Sequence, residues 1–191
     1  MVIQQAQSRE KNNLPEIIKY EVSLWDQGYD YVIGVDEVGR GCIAGPLVTT
    51  AVVWDREKVF LEFKKEQSMA HKIRDSKKIS KNVRYKLSHW IIQNALIHAK
   101  TEIPPNIIDE KGIQYANREA MIQSVIKCAE KLPQGSNFAT LTDYIDISED
   151  LAQRGIKCFP ILHGDNASFT IASASIVAKV HRDAYMNVVA H

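Results

Sequence analysis

The sequence is poor in cysteine and in long apolar runs, and it lacks the glycine fingerprints of nucleotide-binding sheets. Its three cysteines, Cys42, Cys128 and Cys158, have neither the CxxC spacing of a zinc site nor the density of a disulfide-stapled small domain. They fit a reducing compartment. No run approaches the eighteen or so apolar residues of a membrane span, and the amino terminus has no apolar signal core. A cytoplasmic protein without membrane partners is therefore expected. Neither GxGxxG nor GxxxxGK[ST] occurs, which argues against the nearest architectural rival, a doubly wound nucleotide-binding sheet. Internal repeats, low-complexity tracts and interdomain linkers are missing as well.

Charge of one sign is also scarce overall: 24 Lys and Arg residues face 23 Asp and Glu, a formal net charge of +1. The balance is not local. Between Lys72 and Lys86 there are seven basic residues and the single acid Asp75, a distribution compatible with a nucleic-acid surface. A chain of 191 residues that is 45% hydrophobic buries roughly two-thirds of its extended surface and folds without disulfides or partners. One domain over 29–191 is expected, preceded by an extension or docking segment at 1–28 whose apolar part lies at 14–20.

Residues 31–35 and 47–54 are rich in β-branched and aromatic residues and flank a glycine- and proline-containing connection, so they read as adjacent strands. Val59, Leu61 and Phe63 alternate like a further short strand, whereas 64–70 reads as helix or surface insertion. Ser80 is placed to cap a helix through Val83, Leu87, Trp90 and Ile91. A strand at 95–102 ends at Pro104-Pro105. A helix starting near Asp109 carries the stripe Ile113, Ala116, Ala120, Met121, Val125, Ile126 and Ala129. Strands at 138–142 and 156–162 bracket a short helix at 148–154, and a long helix spans 171–189. Interleaved strands and helices with a tight first connection predict an α/β fold with a mixed sheet.

Chemistry concentrates where strands end. Asp36 and Glu37 follow the first strand; an alternating strand sends them to opposite faces, so one ion is within reach of both only if the strand stops or bulges there. Asp143 follows 138–142, and Asp165 follows Ile161-Leu162-His163-Gly164. Strand ends can converge on one crevice, where four carboxylates are unfavourable until divalent cations neutralise them. Magnesium suits such an all-oxygen setting, and two ions can serve both the attacking and the leaving oxygen of a phosphodiester. Separate solvent-exposed turns are the alternative. Gly39 and Gly41 flank Arg40, leaving amides open to a phosphate or sugar; a purely structural turn needs such glycines too. Lys77, Lys78 and Arg84 are candidate backbone contacts, with an ordinary solvated basic face as the rival explanation. Lys179 and Arg182 read most simply as charges on a helix surface. His163 is a candidate supporting group or substrate contact, and Trp25, Trp54 and Trp90 read as packing residues.

The string Gly34-Val35-Asp36-Glu37-Val38-Gly39-Arg40-Gly41 with Ala44-Gly45-Pro46 resembles the opening of ribonuclease HII, the type 2 ribonuclease H family. Asp75-Ser76-Lys77-Lys78-Ile79-Ser80, Ile108 to Met121, and Gly164-Asp165 through Arg182-Asp183 resemble later family segments in the same order. The resemblance implies a ribonuclease H-like mixed β-sheet flanked by helices. It implies an endonuclease that hydrolyses the RNA strand of RNA–DNA hybrids and incises duplex DNA on the 5′ side of embedded ribonucleotides, using Mg2+ or Mn2+ held by Asp36, Glu37, Asp143 and Asp165. It assigns recognition of the ribose 2′-hydroxyl, the group that separates RNA from DNA, to Gly39, Arg40 and Gly41. A monomer is expected. Two rivals share the acids: a magnesium-dependent phosphatase for small esters, and a nonenzymatic hybrid-binding domain. The sequence departs from the family pattern in having Tyr144 after Asp143 where many relatives have glycine, and in a long Asp143-to-Asp165 spacing that implies an insertion near 146–153. A carboxy-terminal glycine–tyrosine–glycine segment is also missing, so a shortened carboxy-terminal end is expected.

Overall fold

A computed structural model describes residues 15–189. Five strands form one mixed sheet: β1 (Tyr31–Val38), β2 (Leu47–Val53), β3 (Ile97–Ile103), β4 (Phe138–Asp143) and β5 (Lys157–Ile161), in spatial order β3-β2-β1-β4-β5. β1 to β3 are joined antiparallel, while β1, β4 and β5 run parallel. The helices are α1 (Lys19–Asp26), α2 (Arg56–Lys64), α3 (Lys81–Asn94), α4 (Pro105–Lys111), α5 (Ile113–Ala129), α6 (Ser148–Ala152), α7 (Gly164–Ala167) and α8 (Phe169–Val189).

The period-2 alternation of the strands divides the core between the two faces of the sheet. Val32, Val52, Ala139 and Leu141 pack with Ile171, Ala172 and Ile176 of α8 and with Leu87 and Ile91 of α3. Ile33, Val35, Ala51 and Val53 pack on the other face with Met121, Val125 and Cys128 of α5. Every residue of β2 is buried, as expected of an interior strand covered on both sides. The tryptophans serve packing: Trp54 lies 5.4 Å from the Trp90 ring and 5.1 Å from Phe169, and its indole N–H donates to Ser173 Oγ at 3.1 Å. Full burial of such a side chain contributes roughly 1.5–3 kcal/mol.

α8 lies against β1 at backbone distance. A Cβ at Gly34 would fall 2.3 Å from the Thr170 carbonyl carbon and 2.5 Å from Ile171 N, so only glycine permits this approach. The start of α8 is held by a residue from the amino-terminal segment. Fully buried Glu21 accepts from Ser168 Oγ (2.6 Å), Thr170 N (2.9 Å) and Thr170 Oγ1 (2.8 Å). Burial pushes its carboxyl above the ordinary value. Ile18, Leu24 and Trp25 of the same segment are also buried in the core. Residues 1–14 of the expected extension, and 190–191, lie outside the described residues.

Several sequence expectations are corrected. The alternation Val59, Leu61, Phe63 belongs to α2, not a strand: Asp55 caps it by accepting from Lys58 N, and Val59 faces inward while Leu61 is exposed. The helix expected near Asp109 begins earlier, with Pro105 in its first turn, and Gly112 at φ 84° separates α4 from α5. Ser80 precedes α3 without a side-chain capping bond. The segment at 146–153 is packed, with Ile147 and Leu151 fully buried.

Both sheet edges are blunted. β5 is five residues long and contains Pro160. On β3, Lys127 of α5 and Lys131 just beyond it donate to the main-chain carbonyls of Lys100 (3.2 Å) and His98 (3.3 Å).

Gly34→Ala is expected to destabilise the protein by about 3 kcal/mol or more, because the new methyl meets main chain rather than a movable side chain. Denaturant unfolding monitored by tryptophan fluorescence checks this.

Candidate active site

Three parallel strands deliver carboxylates to one end of the sheet. Residues 32 and 34 of β1 and 139 and 141 of β4 face α8, so the alternation places Asp36 and Asp143 on that same face. The last ladder pair between these strands is Val35↔Thr142. Asp36 and Asp143 therefore follow it as neighbours at the strand ends. Asp165 enters from the turn after β5, at the start of α7, and Gly164 N donates to Asp143 Oδ1 at 2.7 Å.

β1 neither stops nor bulges at the acid pair. It continues to Val38, with Asp36↔Thr50 and Glu37↔Thr49 in regular antiparallel register, which corrects the sequence expectation. The physical resolution is that β1 outruns β4: beyond Asp36 its β4 side is open. Glu37 feels the charges of Asp143 and Arg40 although its alternation assigns it to the opposite face from Asp36.

The electrostatics are those of a crowded anionic pocket. Burial, then the charges of Glu37 and Asp143, push Asp36 well above the ordinary carboxylate value. Burial and the Asp143 charge raise Glu37, and burial with the charges of Asp143 and Asp75 raises Asp165, against a lowering pull from Lys77. Asp36 and Asp165 are only 5% and 7% exposed. Asp36 Oδ1 accepts from Glu37 N (2.8 Å), and Asp165 Oδ1 from Asn166 Nδ2 (3.0 Å).

Among the described residues no three acidic, histidine or cysteine side chains already converge as an ion cage. The four candidates are thus brought into electrostatic contact without being drawn onto one point. Their chemistry nevertheless fits a hard divalent cation: all donors are oxygens, and positive charge relieves the crowding of negative charge that, together with burial, raises the proton affinity of Asp36, Glu37 and Asp165.

The loop from Gly39 to Pro46 continues β1 directly. Gly39 has φ 108° and Gly45 φ 88°, and Arg40, Gly41, Cys42 and Ile43 are exposed. Arg182 is the site residue that sequence reasoning missed. Expected on a helix surface, it is 5% exposed and donates from Nε to Pro46 O (3.0 Å) and from Nη2 to Ala44 O (2.7 Å). Its signal was spacing: Ile171, Ala174, Ala178 and Arg182 follow one stripe of α8.

The basic candidates divide. Lys78 reaches Asn166 Oδ1 at 2.6 Å while remaining largely exposed, and exposed Lys77 influences Asp165. Both border the acids. Arg84 does not present its charge outward: it donates to Ser76 O at 2.5 Å and pairs with Asp183 at 3.7 Å, with its side chain 12% exposed. It ties α3 to the Ser76–Lys78 turn and to α8. Tyr144 and His163 adopt left-handed backbone at φ 61° and 55°, flanking the acids. For Tyr144 this explains why glycine suits that position.

Carboxyls raised in the folded state bind protons more tightly there than in the unfolded chain, so they stabilise at low pH and that contribution is lost as pH rises from the ordinary 3.8–4.5 through the raised values. Without metal, Asp36→Asn is expected to raise the melting temperature at pH 8 more than at pH 4, by about 2–4 °C per kcal/mol of repulsion removed. Calorimetry in chelator at both pH values measures it.

A ribonuclease HII family model matches residues 33–191. Ribonuclease HII of Acholeplasma laidlawii is 39% identical over 170 residues, covering 88% of this chain and 73% of that protein. Ribonuclease HII of Chlorobium chlorochromatii is 40% identical over 171 residues, covering 90% and 76%. The crystal structure of ribonuclease H2 from Pyrococcus horikoshii superposes with a TM-score of 0.66 at 24% identity, covering 83% of this chain and 75% of that one, and shares the ribonuclease H-like fold. With acids at the ends of β1 and β4 and after β5, and with these relatives across most of its length, the chain belongs to the ribonuclease HII family of metal-dependent endoribonucleases of the ribonuclease H type.

Proposed function

We propose that this chain hydrolyses the RNA strand of RNA–DNA hybrids and incises duplex DNA on the 5′ side of embedded ribonucleotides, with Asp36, Glu37, Asp143 and Asp165 holding two divalent ions, Mg2+ or Mn2+. The observation that carries this is the placement of Asp36 and Asp143 side by side at two parallel strand ends, with Asp165 electrostatically linked to Asp143. The loop that would read the sugar starts three residues beyond Asp36. Metal chemistry and sugar recognition are thereby joined by one short piece of main chain.

Bound ions of this kind stabilise charge on the phosphoryl oxygens and lower the pKa of an attacking water. The protein's own share is positional. Asp36 and Asp143 are fixed by the sheet, and Asp165 by the turn that bonds Gly164 N to Asp143. Exposed Arg40, Lys77 and Lys78 can approach the polyanion from the rim, where such contacts position the substrate without reading sequence. Gly39 and Gly41 leave main-chain N–H groups accessible to a ribose 2′-hydroxyl. Attack of water at phosphorus breaks the bond to the 3′ oxygen, leaving 5′-phosphate and 3′-hydroxyl ends without a covalent enzyme intermediate.

The test is a duplex DNA carrying one ribonucleotide, incubated with Mg2+ or Mn2+ beside an all-DNA control, with product ends resolved on a sequencing gel. Cleavage immediately 5′ of the ribonucleotide is expected. Asp36→Asn and Asp165→Asn should each lower it at least about a hundredfold, no less than the loss of a supporting residue in a metal site. Junction binding without turnover would instead indicate a hybrid-binding domain, and hydrolysis of small phosphate esters alone would favour a phosphatase.

A further inference from the structure

We infer that Arg182 is a positioning residue for ribonucleotide recognition: its buried guanidinium anchors the 39–46 loop from below and sets the height of that loop over the acids. This rests on the substrate proposed above, but the anchor itself is visible in the packing. The guanidinium forks between two main-chain carbonyls, Pro46 O and Ala44 O. Two left-handed glycines close around it. A Cβ at Gly39 would lie 2.7 Å from Arg182 Nε and 2.8 Å from Pro46 O; one at Gly45 would lie 3.2 Å from Arg182 Nη2 and 2.4 Å from Met186 Sδ. Arg182 and Met186, one turn apart on α8, thus form the seat on which the loop rests.

The same helix carries Ser175, whose hydroxyl lies 2.9 Å from Ser76 Oγ and pulls the Asp36 carboxyl down against the effect of burial. Seven residues of helix, roughly 10 Å at 1.5 Å per residue, separate the contact to the acids from the contact to the loop. α8 therefore fixes the offset between the phosphate to be cut and the sugar to be read. A lysine cannot reproduce the planar fork between two carbonyls.

Charge adds to geometry. Among the described residues Arg182 has no carboxylate partner, because neighbouring Asp183 is paired with Lys179 (2.7 Å) and Arg84 (3.7 Å). Its positive charge remains under the loop. It also lines a cleft of about 540 Å³ with Gly41, Ala44, Lys81 and Asp183; with the Asp183 carboxylate already paired to Lys179 and Arg84, Lys81 and Arg182 supply the positive charge beside the loop.

The experiment compares wild type, Arg182→Met and Arg182→Lys by two readouts, both well below the melting temperature of each variant. The first is limited trypsin cleavage after exposed Arg40, normalised to cleavage elsewhere in the chain. The second is kcat and KM on the single-ribonucleotide duplex, with the Mg2+ concentration for half-maximal rate. Arg182→Met should accelerate cleavage at Arg40 and raise KM about tenfold or more, the scale of one or two lost hydrogen bonds. Its kcat and half-saturating Mg2+ should stay near wild type, and Arg182→Lys should recover only part of the KM. An unchanged cleavage rate at Arg40 overturns the anchor, and faster cleavage with wild-type KM overturns its role in recognition. If wild type shows no ribonucleotide-dependent incision, the substrate assignment fails, while the trypsin comparison still decides whether Arg182 holds the loop.

Discussion

The site depends on a close main-chain approach: the start of α8 lies on β1 at Gly34, closer than any Cβ would allow. From that point the helix acts as a straight edge across the sheet. Thr170 rests over Gly34, Ser175 meets Asp36 and Ser76, and Arg182 and Met186 lie under the loop that continues β1. Because a helix advances by a fixed rise, these contacts cannot drift independently. The acids, the basic turn at Ser76–Lys78 and the loop are registered to one rigid object.

That rigidity is what allows an unfavourable arrangement to persist. Desolvated carboxyls with raised proton affinities oppose folding near neutral pH, and two left-handed residues next to them add strain of about 1–3 kcal/mol each. The counterweight is the apolar packing on both faces of the sheet. Glu21 shows the same exchange away from the site, since a buried carboxyl is kept there to satisfy donors at the start of α8.

Strand ends were the most legible part of the sequence. Apolar runs before Asp36, Asp143 and Asp165 placed all three acids, because strand periodicity and chain termini of strands are local properties. What local pattern could not supply was direction around a helix or across a gap. Arg182 sits among exposed or half-exposed charges, Lys179, His181 and Asp183, and only the position of the distant 39–46 loop makes it internal. Arg84 was likewise turned inward by a partner 99 residues away, Asp183. The alternation of Val59, Leu61 and Phe63 misled because Val59 faces the core while Leu61 lies in solvent; the capping acid Asp55 carried the better signal. Asp36 and Glu37 were expected to need a break in the strand, and the alternative, a neighbouring strand that ends early, is a tertiary fact.

The lysines on the outer edge of β3 bear on how this molecule behaves among copies of itself. A sheet that is hydrogen-bonded on one side only is a template for another strand, and here the template is covered by two ammonium groups, those of Lys127 and Lys131, on the carbonyls of Lys100 and His98. The cover consists of charged donors and not of packed hydrocarbon. Acylation of those two amines would remove the donors and leave the carbonyls of Lys100 and His98 open, so the closure of this edge rests on the chemistry of two side chains.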